Sequence, residues 1–186
     1  MKKLGILAVM VLIFAGCSRD AKELDRAISF RGKLLQAQEV RFDAKITADY
    51  EEEVYLFAMK CSCDSKGEVF FSLTSPDSIA GISGSITDVG GKLTFNDTAV
   101  RFELMADEQL SPVCAPWILM KTLRSGYLTS VCQEEELFRL TIDDSYEEDA
   151  LQLDIWLDAH NSPCRADILF DGKRILQLCV ENFEIS

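Results

Sequence analysis

Residues 39–50 read EVRFDAKITADY, and this stretch decides the fold class. Apolar side chains alternate with polar or charged ones along its whole length. Because successive side chains of a strand point to opposite faces, a period of two predicts one long, half-buried strand. Phe42 and Ile46 are then expected on the concave, apolar side of a sheet, whereas Asp43 and Lys45 face water.

Shorter strands, separated by turn residues, are predicted on the C-terminal side of this stretch. They are Val54–Cys63, Glu68–Thr74, Ile79–Thr87, Lys92–Asn96, Ala99–Leu104, Leu137–Ile142, Leu151–Leu157, Cys164–Phe170 and Lys173–Phe183. Asp171-Gly172, between the last two, is a strong hairpin turn. One short helix, Pro116–Arg124, interrupts the series. Such regular spacing of strands and turns predicts an antiparallel meander, and hence a barrel or a strongly curved sheet.

On the N-terminal side, the period changes to that of a helix over Asp20–Gln38. Asp20, followed three residues later by Glu23, resembles a capping box. The apolar residues at near-helical spacing are Leu24, Ile28 and Leu35, widened by Ala27 and Leu34. This pattern predicts an amphipathic helix before the long strand.

The first 17 residues, MKKLGILAVMVLIFAGC, carry the sharpest motif of the chain. Two lysines precede an uncharged apolar run, Leu4–Phe14, which is too short to span a bilayer but fits the core of a signal peptide. Residues 14–17, Phe-Ala-Gly-Cys, resemble a bacterial lipobox, with phenylalanine where leucine is usual. The resemblance implies that residues 1–16 are a lipoprotein signal peptide and that Cys17 carries a diacylglycerol on its sulfur. The alternative is ordinary secretion, which leaves Cys17 a plain thiol.

The lipobox resemblance also predicts where the protein resides. Residues 17–19 are then the lipidated cysteine and a short tether, and residues 20–186 form one extracytoplasmic domain. Two acyl chains give stable anchoring, whereas a single myristoyl chain gives only marginal binding. We therefore expect the protein to be held on the bacterial cell membrane by lipid at Cys17.

Composition excludes several classes of protein. The 186 residues are 48% hydrophobic, which is ordinary for a globular protein and excludes wholesale disorder. The formal net charge of −12 excludes nucleic acid as a partner, because phosphate binding requires a surplus of Lys and Arg.

Six cysteines remain after Cys17: Cys61, Cys63, Cys114, Cys132, Cys164 and Cys179. Export permits disulfides, and six cysteines can pair in 15 ways, so the pairing stays open. Several of them lie inside apolar patterns, where cysteine serves as a small hydrophobic residue. The Cys61-Ser62-Cys63 pair has no further cysteine or histidine nearby in sequence and is a weak metal motif. We predict no metal.

Catalytic motifs are missing from the sequence. His160 is the only histidine, and it lies in a stretch typical of a turn. Nucleophile-elbow, zinc-protease, P-loop and dinucleotide-binding patterns are absent. The acidic run 143–149 lacks the spacing of an EF-hand and is interpreted as a solvated hairpin tip, with a weak calcium site as the alternative. The sequence therefore predicts a protein that is not an enzyme and needs no cofactor.

The order of elements carries a family resemblance. A helix, a long strand, consecutive hairpins, a helix after a proline loop and closing hairpins are similar to the LolA/LolB-like lipoprotein-carrier superfamily. Particular stretches add to it: 75–77 (SPD) before 79–84 (IAGISG), 93–96 (LTFN), and 161–164 (NSPC) before 171–174 (DGKR). The resemblance implies a mainly β (α+β) fold, an antiparallel half-open β-barrel with an N-terminal helix and a short central helix.

The same resemblance implies an apolar cavity and a function in binding or transferring the acyl chains of lipids or lipoproteins. The ligand contacts expected in that cavity are Phe42, Ile46, Trp117 and Met120. The alternative is a structural or interaction lipoprotein whose barrel is filled and whose partner is a protein. Helical spacing alone does not separate a filled interior from a hollow one.

Overall fold

The computed structural model describes residues 21–50, 53–106, 109–147 and 149–186. The predicted signal peptide, the lipobox cysteine Cys17 and its tether lie outside these residues. The helices are α1 (residues 21–36) and α2 (Ala115–Ser125), the latter preceded by a 3₁₀ turn at Pro112–Cys114. None of the described helices is long and apolar enough to cross a membrane.

The strands of the described chain follow in this order: β1 (Glu39–Asp49), β2 (Val54–Asp64), β3 (Val69–Ser75), β4 (Ser83–Thr87), β5 (Gly90–Phe95), β6 (Thr98–Phe102), β7 (Met105–Ala106), β8 (Gln109–Leu110), β9 (Tyr127–Glu134), β10 (Leu137–Asp143), β11 (Leu151–Leu157), β12 (Pro163–Phe170) and β13 (Lys173–Ile185). β7 and β8 form a separate two-stranded hairpin.

The other eleven strands form one antiparallel sheet in the order β6-β5-β4-β3-β2-β1-β13-β12-β11-β10-β9. β6 and β9 are the two edges, and they do not pair with each other, so the sheet is open. β1 lies near the middle and pairs with β2 on one side and with β13, the last strand of the chain, on the other. The predicted mainly β, half-open antiparallel architecture is confirmed.

The alternation in β1 has the consequence predicted from the sequence. Phe42 and Ile46 are buried, while Lys45 is exposed and its Nζ lies 2.6 Å from Oε1 of Glu181 on β13. Asp43 is half-buried on the same polar face, where its Oδ2 accepts a hydrogen bond from Asn182. The two faces of the strand are therefore assigned correctly by its period of two.

α2 packs against the apolar face and is buried on most of its circumference. It contacts both β2 and β10. β10 is the fifth strand from β2 in the sheet, and neighbouring strands lie about 4.8 Å apart, so the two would be about 24 Å apart in a flat sheet. A helix is only about 10 Å wide. The sheet must therefore curve around α2, which becomes the centre of the hydrophobic core.

The strand prediction is wrong in three places: the start of one strand is misplaced, and one strand and one small hairpin are missed. β4 begins at Ser83 and not at Ile79, because the chain turns after Pro76: the Ile79 amide donates to the Pro76 carbonyl at 3.0 Å. β9 and the β7–β8 hairpin were not predicted. β9 is an edge strand without a clean alternation of burial, and the strands of the small hairpin are two residues each.

α1 is tied to the rest of the domain by two arginines. Arg31 donates to the carbonyl oxygens of Leu123 (2.8 Å) and Gly126 (2.7 Å) at the end of α2. Arg26 donates to Asn161 Oδ1 at 2.5 Å in the β11–β12 turn. Three residues of α1 face the core, Ala27, Phe30 and Leu34, and so does Ala37 directly after the helix. The predicted apolar stripe is therefore only partly buried. Ala27 and Leu34 face the core, whereas Leu24, Ile28 and Leu35 are exposed.

Candidate functional site

The four ligand contacts predicted from the sequence all lie in the packed interior. Phe42, Ile46, Trp117 and Met120 are between 0% and 8% exposed, and they belong to one continuous cluster of buried apolar residues. Neighbours such as Leu119 and Phe138 fill the space between α2 and the sheet. The structure brings the four residues into one core, and their contact with a ligand stays a prediction.

A pocket of about 690 Å³ lies elsewhere, at one end of the curved sheet. Its walls come from the end of β1, the β7–β8 hairpin, the loop after β10 and the β12–β13 turn. Antiparallel pairing of β1, β13, β12, β11 and β10 brings these segments to the same end. We call this site the mouth pocket. Its volume falls within the range of about 300–1,000 Å³ that is usual for small-molecule sites.

The interior wall of the mouth pocket is apolar. Its apolar and aromatic residues are Tyr50, Met105, Leu110, Leu151, Phe170 and Ile175. Phe170 is 46% exposed and Met105 is 52% exposed, although both line a concavity. Large apolar side chains that remain in contact with water inside a concave site are the surface that an apolar ligand would cover.

Tyr50 joins two walls of the mouth pocket. Its hydroxyl donates a hydrogen bond to the carbonyl oxygen of Leu110, so the end of β1 is tied to the β7–β8 hairpin. Its ring lies 6.2 Å from that of Tyr55, in an edge-to-face arrangement. Burial, and then the nearby Cys114 and Tyr55, raise the pKa of Tyr50 to about 12. The phenol is therefore neutral and able to donate at physiological pH.

Acidic side chains form the rim of the mouth pocket. Asp49, Asp144, Glu147 and Asp149 lie around it together with one lysine, Lys173. Asp144 also shapes the loop, because its Oδ1 accepts a hydrogen bond from the Leu151 amide at 2.8 Å. An acidic rim repels an anionic headgroup and tolerates a neutral or cationic one. The acidic run that was interpreted as a solvated hairpin tip thus borders this apolar concavity.

A second concavity, of about 470 Å³, runs beside α2 and the β2–β3 turn, and we call it the α2 groove. Trp117 and Met120 border it, but both are nearly buried, and much of its remaining lining is polar. Arg124, at its edge, donates to the Asp64 carbonyl at 2.6 Å and contacts Cys63 Sγ at 3.4 Å. Burial raises the pKa of the Cys63 thiol to about 11 against the opposing effect of Arg124. This cysteine is therefore a neutral packing residue.

Metal-ligating groups are not assembled in the described ranges. Residues 21–50, 53–106, 109–147 and 149–186 contain no group of three or more His, Cys, Asp or Glu side chains arranged to hold a metal. The six cysteines from Cys61 to Cys179 are free thiols. His160 lies in the β11–β12 turn, where its backbone amide donates to Asp158 Oδ1 at 2.8 Å.

The sequence did not reveal the mouth pocket, although it contained part of the information. The sequence predicts the meander from β10 to β13 and the Asp171-Gly172 turn, and antiparallel strands in such a meander bring the loop after β10 and that turn to the same end. The pairing of β1 with β13 and the β7–β8 hairpin, which supply Tyr50 and Leu110, are long-range or very short features without a local pattern.

Neither protein-family models nor curated proteins gave a match to this sequence. Among solved structures, the chain is similar to an uncharacterized conserved protein from Thermus thermophilus (17% identity, TM-score 0.46, 89% of this chain and 86% of that chain). It is also similar to a LolA superfamily protein from Nitrosomonas europaea (8%, 0.43, 86% and 93%).

A third similar structure is the lipoprotein LppX of Mycobacterium tuberculosis (9% identity, TM-score 0.40, 87% of this chain and 93% of that chain). A LolA superfamily protein is thus among the solved structures to which the chain is similar, in line with the resemblance stated from the sequence. At these identities the comparisons assign no ligand to the chain.

Proposed function

We propose that this protein is a lipid-anchored, extracytoplasmic binding protein that takes an acyl chain, carried on a neutral lipid or an acylated protein, into the mouth pocket. The observation that carries the proposal is the apolar, water-exposed wall of that 690 Å³ concavity. Transfer of an acyl chain from water to such a wall contributes about 0.8 kcal/mol for each CH₂ buried. Binding therefore needs no specific polar contact with the headgroup.

The proposal places the ligand at the end of the sheet and not beneath α2. Phe42, Ile46, Trp117 and Met120 are already packed against other side chains, so a ligand there would have to displace core residues. The mouth pocket needs no such displacement. The competing function, an interaction lipoprotein with a protein partner and no lipid ligand, predicts that the mouth pocket stays empty.

Binding is tested with matched substitutions on two phenylalanines. Phe170 is 46% exposed and lines the mouth pocket, and Phe70 is 45% exposed on β3, away from it. The chain is made without acylation by Cys17→Ser, stripped of lipid, and titrated with a pyrene-labelled monoacylglycerol. We expect saturable binding by this form and by its Phe70→Asp variant, and binding at least about tenfold weaker, or about 1.4 kcal/mol, for Phe170→Asp.

Equal binding by the two aspartate variants would contradict the mouth pocket as the site. Absence of saturable binding by the folded, lipid-stripped parent would favour the protein-interaction function. Because both phenylalanines are about half exposed, their replacement should leave the unfolding midpoints nearly equal, within the range usual for surface positions.

Anchoring is tested separately in the bacterial host. Cys17→Ser should abolish incorporation of labelled palmitate and leave the protein unprocessed or released from the membrane. Cys179→Ser is the matched control, because Cys179 is an exposed free thiol in the folded domain. Palmitate labelling of Cys17→Ser as strong as that of the parent protein would contradict the anchor.

A further inference from the structure

α1 presents an apolar stripe that the domain does not cover. Leu24, Ile28 and Leu35 are 44%, 57% and 64% exposed. At 100° per residue they fall within an arc of about 40°, so they lie along one side of the helix. The buried side of the same helix is formed by other residues, of which Phe30 and Leu34 are the largest. The helix is therefore apolar on two sides, and the sheet uses one of them.

The stripe cannot turn inward without loss of the contacts that fix α1. Arg31 and Arg26 each donate to backbone carbonyls on neighbouring segments, at 2.7–2.9 Å. Phe30 and Leu34 are anchored in the core. Rotation of the helix would break these contacts and expose the two large side chains, so the stripe stays at the surface while the domain is folded.

The position of the stripe in the chain indicates what it meets. Cys17, which carries the acyl chains under the proposed function, is four residues before the first described residue of α1, Ala21. Four residues of extended chain span at most about 14 Å. Ala21, the first residue of α1, is therefore held within that distance of the bilayer surface once the acyl chains are inserted.

The charge of α1 differs from that of the rest of the chain. The α1 segment, residues 21–36, contains four basic side chains (Lys22, Arg26, Arg31 and Lys33) and two acidic ones (Glu23 and Asp25), whereas the whole chain has 19 basic and 31 acidic residues. The helix nearest the anchor is thus a positive segment of an acidic protein. Anionic lipid surfaces therefore repel α1 less than the remainder of the domain. The basic side chains do not themselves point at the surface that the stripe would meet, because Arg26 and Arg31 are bound to carbonyl oxygens of the domain and Lys22 and Lys33 lie on the opposite side of the helix from the stripe.

We propose that the stripe formed by Leu24, Ile28 and Leu35 lies in the lipid interface and fixes the orientation of the anchored domain on the membrane. This inference rests on the anchoring part of the proposed function. The acyl chains at Cys17 supply the first membrane attachment, and the stripe supplies a second, shallow one. An interfacial helix of this kind buries its apolar side about 5–10 Å into the boundary between headgroups and acyl chains.

The test places a tryptophan on the stripe or beside it in the complete, acylated protein. Ile28→Trp reports on the stripe, and Ser29→Trp is the matched control, because Ser29 is the next residue and is also exposed. Each variant is reconstituted in vesicles of phosphatidylethanolamine and phosphatidylglycerol, with or without bromine on the acyl chains. Bromine quenches tryptophan emission on contact, and the native Trp117 and Trp156 are buried and give a constant background.

We expect brominated lipid to remove roughly half of the added emission in Ile28→Trp, as suits an indole at the interface, and little of it in Ser29→Trp. Equal quenching of the two variants, or quenching of neither, overturns the inference. Burial of the Ile28→Trp indole against a second copy of the protein also overturns the inference. In that case the emission is blue-shifted, brominated lipid does not quench it, and the protein is a dimer in detergent.

Intact mass spectrometry of the same samples separates this inference from its premise. A protein without acyl chains on Cys17 contradicts the anchor and removes the docking with it. An acylated, membrane-bound protein whose Ile28→Trp emission is not quenched contradicts the docking alone and leaves the anchor standing.

Discussion

The interior beneath α2 and the mouth pocket are built from the same kinds of residue, yet they differ in packing. Beneath α2, Phe42, Leu119 and Met120 are almost completely buried in one cluster. In the mouth pocket, Phe170 and Met105 keep about half of their surface in contact with water. A side chain that packs against other side chains serves the fold, whereas one left exposed in a concave wall is free to contact a ligand.

This difference moves the expected ligand site from one region of the barrel to another. A curved sheet that is longer than the helix it encloses leaves space beyond the end of that helix. α2 is 11 residues long, or about 16 Å at 1.5 Å per residue, and β1 alone also has 11 residues, about 37 Å at 3.4 Å per residue. The C-terminal end of α2 lies at the opposite end of the sheet from the mouth pocket, because Arg124 donates to the Asp64 carbonyl there. The shorter helix therefore leaves room at the end where the mouth pocket lies.

The largest loss of stability is expected from a substitution in the core beneath α2. Phe42→Ala should lower the free energy of unfolding by about 3–5 kcal/mol, because it removes a buried ring that lies 5.7 Å from that of Phe183. Phe170→Ala should lower it by less than about 0.5 kcal/mol, as at other exposed positions. Urea denaturation of both variants measures the difference, and equal costs would remove the distinction between the two regions.

A substitution in α2 tests whether the interior is full. Met120→Trp should lower the free energy of unfolding by about 1–3 kcal/mol, because the larger side chain overpacks a site that is 1% exposed. Binding of the acyl probe to the folded variant should persist, since Met120 does not line the mouth pocket. Unchanged stability with loss of probe binding would instead reveal a ligand cavity beneath α2.

The sequence predicted the filled region better than the open one, for a physical reason. The faces of β1 follow from its period of two, and the burial of Trp117 and Met120 follows from an α2 segment that is apolar on several sides. A pocket is a gap between secondary-structure elements. Its position depends on which distant elements pair, such as β1 with β13, and local sequence patterns do not reveal such pairing. The stripe of α1 shows the same limit, because helical spacing identifies apolar stripes but not which of them the sheet covers.

A smaller loss of stability is expected at Tyr50, which joins two walls of the mouth pocket. Tyr50→Phe removes the hydrogen bond from the Tyr50 hydroxyl to the Leu110 carbonyl, which should cost about 1 kcal/mol of unfolding free energy near neutral pH. The substitution should also weaken binding of the acyl probe, because the β7–β8 hairpin is no longer tied to β1. A stability loss as large as that of Phe42→Ala would contradict the peripheral role of this wall.

The same residue predicts a dependence on pH. Folding raises the pKa of Tyr50 from its ordinary value of 10.0 to about 12, so the unfolded chain loses this proton first. Its contribution to stability is complete below pH 10 and is lost as the pH rises to 12. The stability difference between the parent and Tyr50→Phe should therefore shrink over this interval, and a constant difference would contradict the burial of the phenol.

The smallest effect is expected from the acidic rim. Exposed charge pairs are worth about 0.2–1 kcal/mol, so a neutral monoacylglycerol should bind up to about fivefold more tightly than the corresponding anionic fatty acid at low salt. High salt should reduce the preference. A preference for the anionic ligand would show that Lys173, and not the surrounding carboxylates, dominates the rim.

The most direct test concerns what occupies the mouth pocket in the cell envelope. Native mass spectrometry of the unacylated Cys17→Ser domain, purified from its host without delipidation, measures this occupant. We predict an added mass equal to that of an acyl-bearing molecule in the Cys17→Ser protein and in the same protein with Phe70→Asp. We predict no added mass when Phe170→Asp is introduced instead. The bare mass in all three proteins, or an equal added mass in all three, would contradict a ligand in the mouth pocket.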